Sequence, residues 1–276
     1  MLGKLMKYEI KATSRTFLLL YIAVLFLAIV NRIFYSFDFI DRFSSFNVLM
    51  NMMVSLFTFF YILMIIALFV AVTIVVIQRF YKNLFGDEGY LMFTLPVKSW
   101  QLIVSKMLVA AFWQFISIIV TIISILIMLS QPAVLSAMGY ALGEMAEAFA
   151  TVGFSFQSII IEIILALVLS LIFFALPLYA CIAIGQLWKK HRVLGAFLAY
   201  FGMNFAVQTI TSAIIGGISV PFLYKIDSLT TAQSFESAFI PYFHTIMLIA
   251  LGISVLLYVG YFFITKYIID RKLDLE

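Results

Sequence analysis

The sequence predicts an all-α integral membrane protein with six transmembrane helices. Its 276 residues are 65% hydrophobic and only 11% charged, with a mean hydropathy of +1.17, whereas soluble domains carry about 25% charged residues. Six apolar runs are each long enough to cross a hydrocarbon core of about 30 Å as a helix. Lysine and arginine collect after every second run, as six crossings require.

The predicted spans form one membrane domain covering residues 1–276. They lie at residues 17–36, 50–78, 107–129, 157–186, 193–219 and 244–268. The second and fourth exceed the length that a bilayer needs, so we expect them to tilt or to project beyond it. Pro177 is expected to kink the fourth, because proline removes a backbone donor and clashes with the preceding turn.

Orientation follows from the cationic residues, which favour the cytoplasmic side. One side holds 14 of the 17 lysines and arginines, and the other side holds Arg32, Arg42 and Lys225. Both termini are therefore predicted to be cytoplasmic. The majority side consists of Lys4, Lys7, Lys11, Arg15, Arg79, Lys82, Lys98, Lys106, Lys189, Lys190, Arg192, Lys266, Arg271 and Lys272.

The segments outside the spans differ in character. Residues 1–15 place apolar side chains at helical spacing among lysines, which predicts an interfacial helix or a plain cationic anchor. Residues 130–156 and 220–243 are predicted to be extracellular, the first mildly helical and the second rich in aromatic residues. The segment of residues 79–106 is far longer than the roughly 5 residues that the chain needs to reverse direction between two helices. Their charged and aromatic composition predicts a docking surface for a soluble partner.

Motifs for catalysis are missing from the sequence. It contains no phosphate-binding loop of the G-x-x-x-x-G-K-[ST] type, no H-E-x-x-H pattern and no spaced Cys/His ligands. Cys181 is the single cysteine, lies in an apolar run and is predicted to be a buried structural thiol with no link to His191 or His244. We expect no enzymatic activity from this chain alone, no metal site and no nucleic-acid partner.

Glu162 is the one ionisable residue well inside a predicted span. Such groups often mark a substrate or proton pathway. The alternative is a carboxyl group near the interface that reaches water or a polar neighbour.

Uncharged polar residues recur on one face of two spans. They either hydrogen-bond between packed helices or line a translocation pathway. The third span carries Gln114, Ser117, Thr121 and Ser124, and the fifth carries Asn204, Gln208, Ser212 and Gly216.

The segment between spans two and three carries a recognisable pattern. It reads Gly86-Asp87-Glu88-Gly89-Tyr90, then Leu95-Pro96-Val97, then Ser105-Lys106 at the entry to a span. Together with the opening MLGKLMKYEIKATSR and the six-span plan, it resembles the ABC type-2 exporter permeases, especially the small permeases of Gram-positive bacteria.

The resemblance implies a membrane subunit that works with a separate ATPase subunit, which binds ATP and Mg²⁺. It implies two permease chains, identical or different, in a bacterial cell membrane. The segment between spans two and three would form a cytoplasmic coupling helix. By position, the coupling residues are Gly86, Asp87, Glu88, Gly89, Tyr90, Leu95 and Pro96.

The substrate is not indicated by any motif. Apolar walls with small polar patches suit a hydrophobic or amphipathic molecule, such as a peptide, a lipid-like compound or a drug-like compound. Two alternatives stay open: a non-transporting membrane sensor, assembly factor or immunity protein, and an ion-coupled secondary transporter that depends on Glu162. A neighbouring gene for a phosphate-loop ATPase would favour the exporter over the first alternative.

The charge asymmetry predicts the topology directly. With Cys181 replaced by alanine, single cysteines at Ser14, Ala146 and Leu275 should differ in their reaction with a membrane-impermeant thiol reagent in intact cells. We expect labelling at Ala146 alone, because positive charge keeps both termini inside. Labelling of either terminus in intact cells would contradict the six-span orientation.

Overall fold

The computed structural model describes residues 2–37, 46–86, 89, 97–130, 132–151, 154–188, 190–226 and 232–271. Within these ranges the secondary structure is eight α-helices, with no strand. They are α1 (Leu2–Phe37), α2 (Phe46–Phe85), α3 (Ser99–Met128), α4 (Pro132–Thr151), α5 (Phe154–Phe173), α6 (Ala175–Gly185), α7 (Arg192–Ile226) and α8 (Ala232–Arg271).

Among the described residues, six stretches of helix are long and apolar enough to cross a membrane, which agrees with the six predicted spans. They are Leu2–Tyr35, Met52–Phe85, Ser99–Met128, Gln157–Gly185, Arg192–Phe222 and Phe239–Arg271. Each overlaps a run found in the sequence, and most are longer by several residues. The excess arises because helices continue past the hydrocarbon, where polar residues still satisfy helical hydrogen bonding.

The chain divides into two compact units, which are described separately. Unit 1 contains Met1–Arg79 and Val104–Glu147, and unit 2 contains Phe80–Ile103 and Ala148–Glu276.

In unit 1, one face of α1 is buried along most of the helix. The buried residues recur at steps of three and four, which places them on a single helix face. They are Thr13, Phe17, Tyr21, Val24, Ala28 and Asn31. The opposite face exposes large apolar side chains such as Leu18, Ile22 and Phe26, as expected for a helix that contacts lipid.

The first 15 residues do not form a separate helix. A single helix runs from Leu2 to Phe37, so a distinct interfacial helix at residues 1–15 is not confirmed. The apolar spacing continues without a glycine or proline between the cationic segment and the span. Nothing in the local sequence therefore interrupts the helical hydrogen bonds.

In unit 2, the fourth span is interrupted where proline was expected to act. α5 ends at Phe173 and α6 begins at Ala175, while Phe174 between them keeps helical angles of φ −55° and ψ −28°. Pro177 has no N–H group to bond the carbonyl of Phe173, four residues earlier. α6 then packs against α7 and α8, and α5 packs against α8.

The segments predicted outside the spans are largely helical. α4 covers most of residues 130–156, which confirms their helical character. Residues 220–226 continue α7 through Pro221, and residues 232–243 begin α8 through Pro241. These two prolines therefore lie inside helices, although the predicted spans had excluded them.

α6 and α7 approach each other closely at Gly185. A Cβ atom on Gly185 would lie 2.5 Å from the backbone nitrogen of Ala196, which no real side chain tolerates. Nearby, Cys181 is buried and free, with its Sγ 4.0 Å from Sδ of Met203. The predicted buried thiol is confirmed, and the glycine determines how closely these helices pack.

Gly185→Ala should lower the melting temperature of the purified protein in nanodiscs, because overpacking against a backbone typically costs about 1–3 kcal/mol. Gly202→Ala is the matched control, since a Cβ atom there would meet nothing within 4 Å. Thermal unfolding monitored by circular dichroism measures both. Equal stability of the two variants would show that Gly185 is not a close contact.

Candidate functional site

The predicted coupling residues begin at Gly86, directly after the last residue of α2. The N–H of Gly86 donates to the carbonyl of Tyr81 at 3.1 Å, and the N–H of Gly89 donates to the carbonyl of Gly86 at 2.8 Å. A Cβ atom on Gly86 would lie 2.8 Å from the carbonyl oxygen of Lys82, so glycine fits this helix end where other residues would clash. The other predicted coupling residues, Asp87, Glu88, Tyr90, Leu95 and Pro96, lie outside the described residues.

Aromatic packing fixes this end of α2 within unit 2. The Phe80 ring stacks on Tyr179 of α6 with 3.8 Å between ring centroids and 7° between planes. The Phe85 ring meets Phe80 edge-on at 5.8 Å. Phe80, Leu84 and Tyr179 are fully buried or nearly so. Gly86, the first of the predicted coupling residues, is thus six positions along the chain from Phe80, whose ring stacks on α6.

In unit 1, a buried ion pair joins the first turns of α1 to α3. Nζ of Lys106 contacts Oε1 of Glu9, and both side chains are almost completely enclosed. One turn further along α1, the indole N–H of Trp113 donates to Oγ1 of Thr13 at 2.8 Å. These contacts hold the N-terminal part of α1 against α3. The sequence suggested neither pairing, because each joins residues about 100 positions apart.

The polar residues of the third span bond to tyrosines on other helices of unit 1. The hydroxyl groups of Tyr21 and Ser117 lie 3.0 Å apart, and those of Tyr61 and Ser124 lie 2.8 Å apart. Ser117 and Ser124 are fully buried. Gln114 and Thr121 on the same face are half-buried. Ser117 and Ser124 therefore link helices, whereas a role of this face in a pathway remains a prediction.

The far end of unit 1 carries a second polar cluster that sequence reasoning missed. Nδ2 of Asn31 donates to the carbonyl of Phe57, and Oγ1 of Thr58 donates to Oδ1 of Asn31, both at 3.1 Å. Arg32 donates through Nε and Nη2 to Oγ and the carbonyl of Ser130, each at 2.9 Å. The sequence did contain a signal for this cluster: the adjacent polar residues Asn31 and Arg32 lie within an apolar run.

The polar stripe of the fifth span has a different environment. Asn204, Gln208, Ser212 and Gly216 are all exposed on α7. Nδ2 of Asn204 donates to the carbonyl of Tyr200 at 2.8 Å, and Oγ of Ser212 donates to the carbonyl of Thr209 at 3.1 Å. Both hydrogen bonds join residues of α7 to each other. The rest of unit 2 therefore leaves this polar face exposed.

Glu162 faces a histidine of the last span. Its Oε1 lies 2.5 Å from Nδ1 of His244, which joins α5 to α8. Nδ1 makes no hydrogen bond of normal geometry, and the second carboxylate oxygen, Oε2, is also buried without a partner. Glu162 is 7% exposed. The sequence identified Glu162 but not its partner. His244 is distant from Glu162 along the chain, and the two residues meet only because α5 packs against α8.

The potential metal ligands of the described part of the chain lie apart from one another or in pairs. No three His, Cys, Asp or Glu side chains come together there, and a structural zinc site needs four ligands.

Comparison with protein-family models, with curated proteins and with solved structures finds no match for this chain.

Breaking the pair between Lys106 and Glu9 should destabilise the protein strongly. We expect Lys106→Met to lower the free energy of unfolding by up to about 3–5 kcal/mol, because it removes the charged partner of a buried carboxylate. The double variant Glu9→Leu, Lys106→Met should recover much of the loss. Denaturant unfolding measured by tryptophan fluorescence reports both.

Lys7, which is exposed on the same helix as Glu9, provides the control for these stability measurements. Lys7→Met should change the unfolding free energy by no more than about 0.5 kcal/mol. If Lys106→Met behaves like Lys7→Met, or if the double variant is less stable than Lys106→Met alone, the buried pair does not act as described.

Proposed function

We propose that this chain is the transmembrane permease subunit of an ATP-driven ABC exporter in a bacterial cell membrane, with ATP hydrolysed by a separate partner subunit. The observation that carries the proposal is the pattern from Gly86 to Lys106 between the second and third spans. Six apolar helices are consistent with such a subunit. An ATPase partner and export remain parts of the proposal.

The packing of unit 2 provides a route for mechanical coupling. A force applied just beyond Gly86 would reach Phe80, whose ring stacks on Tyr179 of α6. α6 is 11 residues long and is separated from α5 by the interruption at Phe174. We expect any change in the angle of α6 to occur at this turn, because helices kink at proline and Pro177 follows it.

In this mechanism the ATPase supplies the energy through its different affinities for two arrangements of the spans. ATP binding brings two ATPase subunits together and moves the coupling segments. The spans then repack between inward-open and outward-open states. Both termini and the coupling region lie on the cytoplasmic side, in agreement with the distribution of lysine and arginine.

The substrate class follows from the surfaces that such a movement would expose. α7 presents an uncharged polar stripe beside large exposed apolar residues such as Phe205 and Ile210. A surface of this kind suits an amphipathic or hydrophobic molecule better than an ion. The same face would also suit a helix of a second permease chain.

An ion-coupled secondary transporter is the second candidate, and the close pair of Glu162 and His244 favours it. A carrier of this kind depends on a proton or cation gradient. The two candidate functions therefore differ in the energy source that transport into or out of proteoliposomes requires. The exporter requires ATP and its ATPase and continues after the proton gradient is collapsed, whereas the carrier stops when the gradient is lost and needs no ATP.

The docking role of the coupling region can be tested by reversing charge. The chain is co-expressed with each phosphate-loop ATPase that a search of the neighbouring genes identifies, and the yield of the complex is measured after affinity purification. We expect Asp87→Lys or Glu88→Lys to lower the yield at least about tenfold, because an unpaired charge at an interface costs about 2 kcal/mol or more.

Asp270→Lys is the matched control, since Asp270 is an exposed acid near the end of α8. This variant should retain the wild-type yield. Wild-type complex formation by both coupling variants, with normal membrane insertion, would refute docking through this segment.

A further inference from the structure

We propose that α4 is a surface helix, which lies along the membrane between the third and fourth spans and binds lipid acyl chains through one apolar face. The inference does not depend on the exporter proposal. It is based on the separation of apolar from polar side chains on α4, on their exposure, and on the short connections that tie α4 to the two spans.

α4 is a long helix that does not qualify as a span. Among the described residues, the six stretches that are long and apolar enough to cross a membrane come from the other seven helices, with α5 and α6 together forming one. α4 has 20 residues, which is about 30 Å at 1.5 Å per residue. It is therefore long enough to cross a hydrocarbon core, but its composition is too polar.

The large aliphatic side chains of α4 share one face. At about 100° per residue they fall within an arc of about 100°. They are Val134, Leu135, Met138, Leu142 and Met145. Glu144 and Glu147 lie on the opposite side of the helix, together with Ser136. This distribution is typical of a helix at a boundary between water and an apolar medium.

The protein itself does not cover the apolar face. Leu142 is 60% exposed and Met145 is 67% exposed, and Leu135 is exposed to a similar extent. Glu144 and Glu147 on the other side are exposed as well. Apolar surface in water is unfavourable, so the two faces of α4 fit two different surroundings, an apolar phase on one side and water on the other.

The connections at both ends are too short for α4 to stand upright on the membrane. α3 ends at Met128 and α4 begins at Pro132, so the four intervening steps reach at most about 14 Å. From Thr151 the chain enters α5 at Phe154, and three steps reach at most about 11 Å.

α5 begins three residues before the predicted start of the fourth span at residue 157, which adds about 5 Å of helix. The adjoining ends of consecutive spans emerge on the same face of the membrane. An upright α4 would raise one end about 30 Å above the other, beyond the reach of either connection. α4 must therefore run largely along the membrane surface.

A polar contact marks the membrane boundary just before α4. Arg32 of α1 donates through Nε and Nη2 to Oγ and the carbonyl of Ser130, each at 2.9 Å, and Ser130 lies two residues before Pro132. A guanidinium group is costly at the centre of a bilayer, so this contact belongs near the edge of the hydrocarbon. α4 thus begins beside the lipid that surrounds the exposed apolar faces of the spans.

Lipid acyl chains are the occupant that this placement favours, because the bilayer lies directly beneath a helix that runs along its surface. Electrostatic attraction to anionic head groups does not contribute, since residues 132–151 contain glutamate but no lysine or arginine. The contact depends on apolar burial, and its strength scales with the apolar area that enters the membrane.

Spin labels on single cysteines test the proposal in phosphatidylcholine nanodiscs, with Cys181 replaced by alanine. Leu142→Cys and Met145→Cys place a label on the apolar face, and Tyr140→Cys and Glu144→Cys are matched controls on the opposite side. Oxygen concentrates in lipid, whereas a nickel chelate stays in water. We expect the ratio of oxygen to nickel collisions to be at least about fivefold higher at the two apolar positions, because that face enters the membrane.

Three other results would each overturn the proposal. Equal nickel access at all four positions would place α4 in water. Shielding of Leu142 and Met145 from both reagents would show that protein, such as a second copy of this chain, covers the face. A high oxygen ratio at all four positions would place the whole helix inside the bilayer.

A second measurement uses the wild-type protein, in case the cysteine variants do not fold. A phosphatidylcholine with a benzophenone on its acyl chain is photoactivated in nanodiscs, and adducts are mapped by mass spectrometry. We expect adducts at Leu142 or Met145 and none at Tyr140 or Glu144. Labelling of the spans without any adduct in residues 134–147 would refute lipid contact by α4, and would leave the exporter proposal to its own complex-formation test.

Discussion

Polar groups inside a bilayer must find partners within the protein, and the arrangement of both units depends on this constraint. Hydroxyl groups along the spans bond back to carbonyls one turn earlier, as Thr73 does to Phe69 and Ser254 does to Ala250. Where a hydroxyl meets another helix, it also holds that helix, as in the pair of Tyr61 and Ser124. The spans are thus positioned by a small number of polar contacts, since apolar side chains gain little by leaving lipid for each other.

The constraint also explains which features could be predicted from the sequence. Hydropathy and cationic residues are local properties, so they located the six spans, and the covalent chemistry of Pro177 located the interruption between α5 and α6. The partners of Glu162 and Lys106 could not be predicted, because they depend on which helices pack together. The separate interfacial helix was not confirmed, since a cationic amphipathic segment and a span can share one unbroken helix when no residue stops it.

The fifth and sixth spans differ from the others in how little of them the chain itself covers. None of the residues in their most apolar 18-residue stretches is buried, and the fifth span has the lowest mean hydropathy of the six, at 1.5. A polar stripe left uncovered on such a helix is costly in lipid. The exposed stripe from Asn204 to Gly216 therefore distinguishes α7 from α1, whose polar residues Thr13 and Asn31 are buried.

Two residues of α1 hydrogen-bond to other parts of unit 1, and the distance between them along the helix is close to the thickness of a hydrocarbon core. Thr13 bonds to Trp113 near one end of the buried face, and Arg32 bonds to Ser130 near the other. Nineteen residues separate Thr13 from Arg32, which corresponds to about 29 Å of helix and matches a hydrocarbon thickness of about 30 Å. The two contacts of unit 1 are thus spaced like the two edges of a hydrocarbon core, and a bilayer of another thickness would have to adapt to them by thinning or thickening locally.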